Sequence, residues 1–122
     1  MLVRSSDRLP AFTAGDNCTL REILNPARDK ALVSVGYSLA RAVVEPGEST
    51  TPHLLTASEV YYVLKGEGLM HIGDETQVIQ AGDAVYIPPE AVQFVECHSS
   101  EKLEFLCIVE PAWTQSCERV IS

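Results

Sequence analysis

The sequence predicts an all-β sandwich or barrel built from antiparallel strands. Two observations carry this. From position 31 onward, runs of four to seven β-branched and aromatic residues recur, separated by Gly or Pro turns every 8–12 residues. No amphipathic helix of useful length interrupts them, and turns this tight require antiparallel neighbours, because parallel strands need long crossovers. A chain of 122 residues is one domain. Folding at that length buries roughly two-thirds of the unfolded surface, enough for a true core.

The elements follow in order. Residues 1–30 read as an N-terminal arm. Within it, Thr19-Leu-Arg-Glu22 matches a helix capping box, but Asn25-Pro26 would stop such a helix after little more than one turn, and a short strand through Leu20 to Leu24 fits equally well. Residues 31–111 read as the β domain. Leu32 to Val44 forms its first strand, with Val33, Val35, Tyr37 and Leu39 alternating with small residues, and Pro46-Gly47 ends it. Val60 to Leu64 stops at Lys65-Gly-Glu-Gly68, a hairpin turn rather than a phosphate cradle, since no helix follows. Leu69–Ile72, Gln77–Gln80, Ala84–Ile87, Val92–Cys97 and Leu103–Val109 complete the series. Residues 112–122, with Trp113, form a tail expected to pack across a barrel end or on a partner subunit. Exposed sheet edges must be paired or covered, which points to a homodimer.

The net charge of −8 argues against a nucleic-acid surface, which needs clustered Lys and Arg, and against an anionic membrane surface. No apolar run approaches the ~18 residues that span a bilayer. The first residues lack the apolar core of a signal peptide, so a cytoplasmic location is expected. The four cysteines, Cys18, Cys97, Cys107 and Cys117, form no C-x-x-C pair, which argues against a structural zinc site. They read as small core or surface residues; as an alternative for one pair, Cys97 and Cys107 flank the polar segment His98 to Lys102, which looks like a hairpin turn and could set them near each other on paired strands.

Chemistry concentrates between Pro46 and Gly66, where His53 and Glu59 sit between two glycine turns. A neutral imidazole and a carboxylate are both good ligands for a divalent metal. By period two, His53 and Leu55 share a face, as do Glu59, Tyr61 and Val63, and as do Gln93 and Val95. Tyr61 thus accompanies Glu59 inward, either as a hydrogen-bonding or acidic hydroxyl or as a plain core aromatic. His71, flanked by apolar Met70 and Ile72, is expected to face outward, and His98 lies in a turn. Arg41 is either an inward clamp for an anion or an outward partner of surface acids.

Two blocks here resemble the cupin superfamily. Gly47, five residues, His53, Leu55, three residues, Glu59, six residues and Gly66 follow the spacing of the first cupin motif, with Leu55 where a second histidine stands. Gly82, five residues and Pro88 open the second, where Glu90 replaces a glycine, Gln93 a histidine and Cys97 an asparagine. The resemblance implies a small antiparallel double-stranded β-helix, the cupin or jelly-roll barrel, with its site inside. It also implies a divalent metal held by His53, Glu59 and Gln93, without an organic cofactor. Mn, Fe, Ni or Zn are the candidates, and one imidazole, one carboxylate and one amide lean towards Mn(II), Fe(II) or Mg(II).

Two functions follow. The first is a metal-dependent enzyme acting on a polar small molecule, with Tyr61 assisting. It would be isomerase-, cyclase- or dioxygenase-like, and its single-domain layout is similar to the mannose-6-phosphate isomerase type. The second is a metal-free, non-enzymatic domain that binds a small molecule, which Leu55 and Gln93 favour as replacements of ligands.

Overall fold

The computed structural model describes residues 1–29 and 31–121. Eleven strands run β1 Phe12–Thr13, β2 Thr19–Leu24, β3 Ser38–Val44, β4 His53–Leu55, β5 Ser58–Lys65, β6 Glu67–Ile72, β7 Glu75–Gln80, β8 Ala84–Ile87, β9 Gln93–Glu96, β10 Leu103–Glu110 and β11 Glu118–Val120. One turn of helix, α1 at Pro26–Asp29, follows β2. The strands form a six-stranded sheet, β1-β2-β3-β10-β5-β8, and a five-stranded sheet, β11-β4-β9-β6-β7. Every pairing is antiparallel, and the two sheets close face to face as the double-stranded β-helix that the strand pattern and the motif spacing predict. Among the described residues no helix is long and apolar enough to cross a membrane.

Register fixes what points inward. On the six-stranded sheet, Ala42, Phe105 and Val63 align in one cross-strand row, Ala40, Cys107 and Tyr61 in the next, and Ser38, Val109 and Glu59 in a third. The first row packs solidly against Val95, Leu103 and Cys97 and closes one end of the barrel. Side chains of the other two rows, Ala40, Cys107, Tyr61, Ser38, Val109 and Glu59, line a cavity.

The turns obey the motif glycines. Gly66 has φ +83°, and a Cβ there would meet the Lys102 carbonyl oxygen at 2.3 Å, so neither the backbone angle nor the space admits a side chain. Glu90, where the family pattern has glycine, also takes a left-handed φ of 69°. Its amide still donates to the Leu55 carbonyl, 2.8 Å, which ties the motif-two turn to β4.

Several expectations need correction. The strand predicted over 32–44 begins only at Ser38 and buries the opposite parity, Ser38, Ala40, Ala42 and Val44. Tertiary contact overrides the apolar alternation before it: the Gly36 carbonyl accepts the Ala112 amide at 2.9 Å, tying that segment to the tail rather than to a strand. Asn25-Pro26 starts a helical turn instead of stopping one. Asn25 Oδ1 accepts the Ala27 amide at 3.0 Å, and proline is preorganised for the first helical position. The segment from Leu20 to Leu24 is strand, paired with β3. Cys97 and Cys107 do not share a hairpin. The chain crosses between sheets after β9, which pairs with β4 and β6, while Cys107 on β10 lies opposite Ala40 and Tyr61.

Candidate functional site

The hollow end of the barrel encloses about 220 Å³. That is less than the ~300–1,000 Å³ of a drug-sized site, so it suits a small metabolite. His53, Glu59 and Tyr61 line it, as the motif pattern leads one to expect, and Gln93 lies fully buried behind them.

These four side chains are brought together by two strand pairings. β4 is short, and all three of its residues are buried between β11 and β9, which places His53 directly opposite Gln93. β5 supplies Glu59 and Tyr61 at alternate positions of one face. The Tyr61 hydroxyl donates to Gln93 Oε1, 2.9 Å, and Gln93 Nε2 donates to Glu59 Oε1, 2.9 Å. The Tyr61 ring is held against Phe105 with centroids 4.3 Å apart. This chain satisfies buried polar groups that would otherwise each cost about 1–3 kcal/mol. The remaining imidazole is oriented separately. His53 Nδ1 donates to the Thr51 carbonyl, 2.7 Å, which leaves Nε2 as the free nitrogen, 3.5 Å from Asp16 Oδ2.

Electrostatics divides the groups. Burial pushes the Glu59 carboxyl up to about 8, and the charges of Asp16 and Glu118 add to this while the Gln93 hydrogen bond opposes it. Glu59 therefore keeps its proton at neutral pH. Burial likewise raises the Tyr61 hydroxyl well above the phenol range, helped by Glu59. The thiols of Cys18 and Cys107, both on the cavity wall, are raised by burial and then by the nearby carboxylates, so they are poor nucleophiles.

A divalent metal held by His53, Glu59 and Gln93 does not fit this arrangement. Gln93 turns its amide hydrogens, not a lone pair, towards the carboxylate with which it would share the ion, and its oxygen already accepts from Tyr61. Coordination would also have to displace the proton that burial favours on Glu59. Leu55, three per cent exposed, closes the position where a second imidazole would stand. Among the described residues no three His, Cys, Asp or Glu side chains converge as a metal-holding group.

Other singled-out residues sort quickly. Arg41 points outward and is paired with Asp7 and Glu104, at 2.8 and 2.9 Å. His71 faces away from the core, bonded to Glu96 and stacked on Phe94. His98 is largely exposed beside Glu96.

The sequence reading missed Asp16, Glu118 and the part Trp113 plays. Asp16 stands in the Gly15-Asp-Asn17 turn of the N-terminal arm, and its Oδ1 accepts from the backbone and thiol of Cys18. Trp113 packs on Leu55, Ala57, Val109 and Cys117, and its Nε1 donates to Glu118 Oε1, 3.1 Å. Both acids line the cavity. The Gly-Asp-Asn turn was a readable signal for a positioned carboxylate. Nothing in the pattern around Glu118 distinguishes it from a surface acid.

Comparison with known proteins agrees with this architecture. A family profile described as Cupin domain matches residues 40–109. An uncharacterized protein of Methanocaldococcus jannaschii is 34% identical over 109 residues, covering 88% of this chain and 85% of that one. The oxalate-binding protein of Thermotoga maritima is 32% identical over 112 residues, covering 89% and 93%. Among solved structures, the polyketide cyclase RemF of Streptomyces resistomycificus superposes with a TM-score of 0.81 at 20% identity, covering 100% of this chain and 86% of its own. These relatives lend no support to the finer likeness to the mannose-6-phosphate isomerase type.

Proposed function

The chain belongs to the cupin family, and from that premise we propose that its barrel cavity binds a small organic molecule and moves protons on it without a metal. The observation that carries this is the chain Tyr61–Gln93–Glu59 on the same cavity as His53. It presents a neutral carboxylic acid and an imidazole with one free nitrogen, the two partners that general acid–base catalysis needs. His53 Nε2 takes a proton from a C–H or O–H of the ligand. Glu59 returns one to the oxygen that leaves or accepts charge, and solvent restores both groups afterwards. Tyr61 acts as a positioning residue, since its hydroxyl is committed to Gln93 and its ring to Phe105.

Isomerisation, dehydration and ring closure all use such a pair. Dioxygenase chemistry does not, because it needs a metal that this donor set fits poorly. Oxalate, the ligand in the name of the Thermotoga maritima relative, is a small dianion and matches a wall bearing Asp16 and Glu118 badly.

The test has two arms. Purified protein incubated with Mn(II), Fe(II), Ni(II) and Zn(II) should retain less than one equivalent of each by elemental analysis. Ligands found by a thermal-shift screen should bind equally well in EDTA. His53→Gln and Glu59→Gln should keep ligand affinity within a few-fold and lose turnover. Stoichiometric metal that disappears in His53→Ala would overturn the reading. Equal behaviour of wild type and both Gln variants would leave the second expectation, a binding domain without turnover, as the better account.

A further inference from the structure

Acids outnumber bases on the cavity wall. Besides the protonated Glu59, Asp16, Glu22 and Glu118 line it, against the single arginine Arg28. Arg28 is taken by Glu22 at 2.8 Å, with the guanidinium mostly in solvent. Asp16 and Glu118 remain, facing His53.

Each of these two carboxylates has one oxygen held by the protein. Asp16 Oδ1 accepts from the Cys18 amide and thiol, at 3.3 and 3.1 Å. Its Oδ2 has only the His53 Nε2 contact at 3.5 Å, although Asp16 is 7% exposed. Glu118 Oε1 accepts the Trp113 indole N–H. Glu118 Oε2 makes no hydrogen bond among the described residues and lies over Gly15, where a Cβ would approach it to 2.8 Å. That close approach is the juxtaposition that matters. Gly15 lets the C-terminal strand lie against the N-terminal turn, which sets Glu118 beside Asp16 at the cavity. The aromatic side chains Tyr61, Phe105 and Trp113 also line the cavity.

We infer that the ligand is a small organic cation, an ammonium group on an apolar body, with the charge seated between Asp16 and Glu118 and the body against Tyr61, Phe105 and Trp113. The inference rests on the reading that this cavity is the ligand site. A carboxylate oxygen that faces the cavity and accepts no hydrogen bond from the protein is an acceptor that an ammonium hydrogen fills. Aromatic faces attract a cation through their quadrupole. An anion in the same place would lose its hydration and meet two like charges. The combined field of Asp16 and Glu118 is independently felt by Glu59, which both of them help to keep protonated.

Benzylamine, benzyl alcohol and benzoate share one body and differ in charge, and they test this directly. Trp113 is the only tryptophan of the chain and lines the cavity, so its fluorescence reads binding, with thermal shift as a second signal. Benzylamine should bind at least about tenfold more tightly than benzoate, with the alcohol between. Asp16→Asn and Glu118→Gln keep the acceptors that Cys18 and Trp113 use. Each should cut the advantage of the amine over the alcohol several-fold and leave the alcohol within about twofold. Circular dichroism confirms that both variants fold. Benzoate binding as tightly as benzylamine, or an amine advantage that survives both substitutions, overturns the inference while the cavity reading stands. Failure of all three compounds to move either signal overturns both.

Discussion

The motif strands and the terminal arms build opposite kinds of wall in one cavity. β4, β5 and β9 contribute His53, Glu59, Tyr61 and Gln93, most of them joined side chain to side chain in a relay with no net charge. The arms contribute Asp16 and Glu118, each with one oxygen held by the protein and the other without a hydrogen bond. The relay lies deep, where burial makes a charge expensive, and so it stays neutral. The contrast teaches that the motif positions and the terminal arms supply different polar groups to one cavity, hydrogen-bonded side chains from the strands and carboxylates from segments outside the motifs.

The sharpest way to break this contrast is to give the motif strands back their ligands. Leu55→His with Gln93→His supplies three imidazoles beside Glu59. Stoichiometric Ni(II) or Zn(II) binding should appear, and at a thousandfold excess over Kd it should stabilise the variant by about 4 kcal/mol in chemical denaturation. If the double variant stays metal-free, the missing imidazoles are not what separates this cavity from a metal site.

Next in size is the pH dependence that Glu59 imposes. Its folded pKa of about 8 lies above the ordinary carboxyl value of 4.5, so the native state binds the extra proton between those limits. Its presence therefore costs nothing below about pH 4.5, and stability falls as pH rises towards 8 and levels off above it. Urea unfolding at pH 5 and pH 9 should show Glu59→Gln gaining on the wild type by roughly 2–5 kcal/mol across that range. A gap that does not widen with pH would mean that Glu59 is ionised in the fold. Asp16→Asn should bring the midpoint of that pH dependence down, because one of the two arm charges acting on Glu59 is gone.

Removing the far end of the relay has a smaller effect. Tyr61→Phe leaves Gln93 Oε1 buried without its donor and should cost about 1–3 kcal/mol by urea titration. A cost near zero would mean that the relay is not formed. Smallest is Glu90→Gly. Glu90 holds a left-handed backbone on an exposed turn, so glycine should stabilise by about 1 kcal/mol once its own entropy cost is deducted. Thermal melts would detect this, and a loss would show that the Glu90 side chain has a role outside the backbone.

Much of this was legible beforehand, and the residues show why. β5 reads as a strand because Glu59, Tyr61 and Val63 alternate with exposed or half-exposed neighbours, and alternation is a local property of a half-buried strand. Gly47, Gly66 and Gly82 all take positive φ, a demand that a turn places on its own residue. The run from Leu32 to Tyr37 alternates just as well and is not a strand, because pairing needs a partner and the neighbouring contact there goes to Ala112. β4 buries all three of its residues and so shows no alternation at all. Cys97 and Cys107 looked like a hairpin pair because a short polar link says nothing about which sheet receives the next strand.

By itself, then, the sequence determined the strand-and-turn order, the cupin barrel, and the inward placement of His53, Glu59, Tyr61 and Gln93. These follow from period-two patterning, from glycine backbone freedom and from spacing, each carried within a few residues. Only the tertiary structure decided that Gln93 donates to Glu59, that burial raises the Glu59 pKa, and that Glu118 lies over Gly15 on the cavity that Asp16 also lines. Those outcomes depend on which way an amide turns, on how far water is excluded, and on contacts between the two ends of the chain, and no local pattern encodes any of the three.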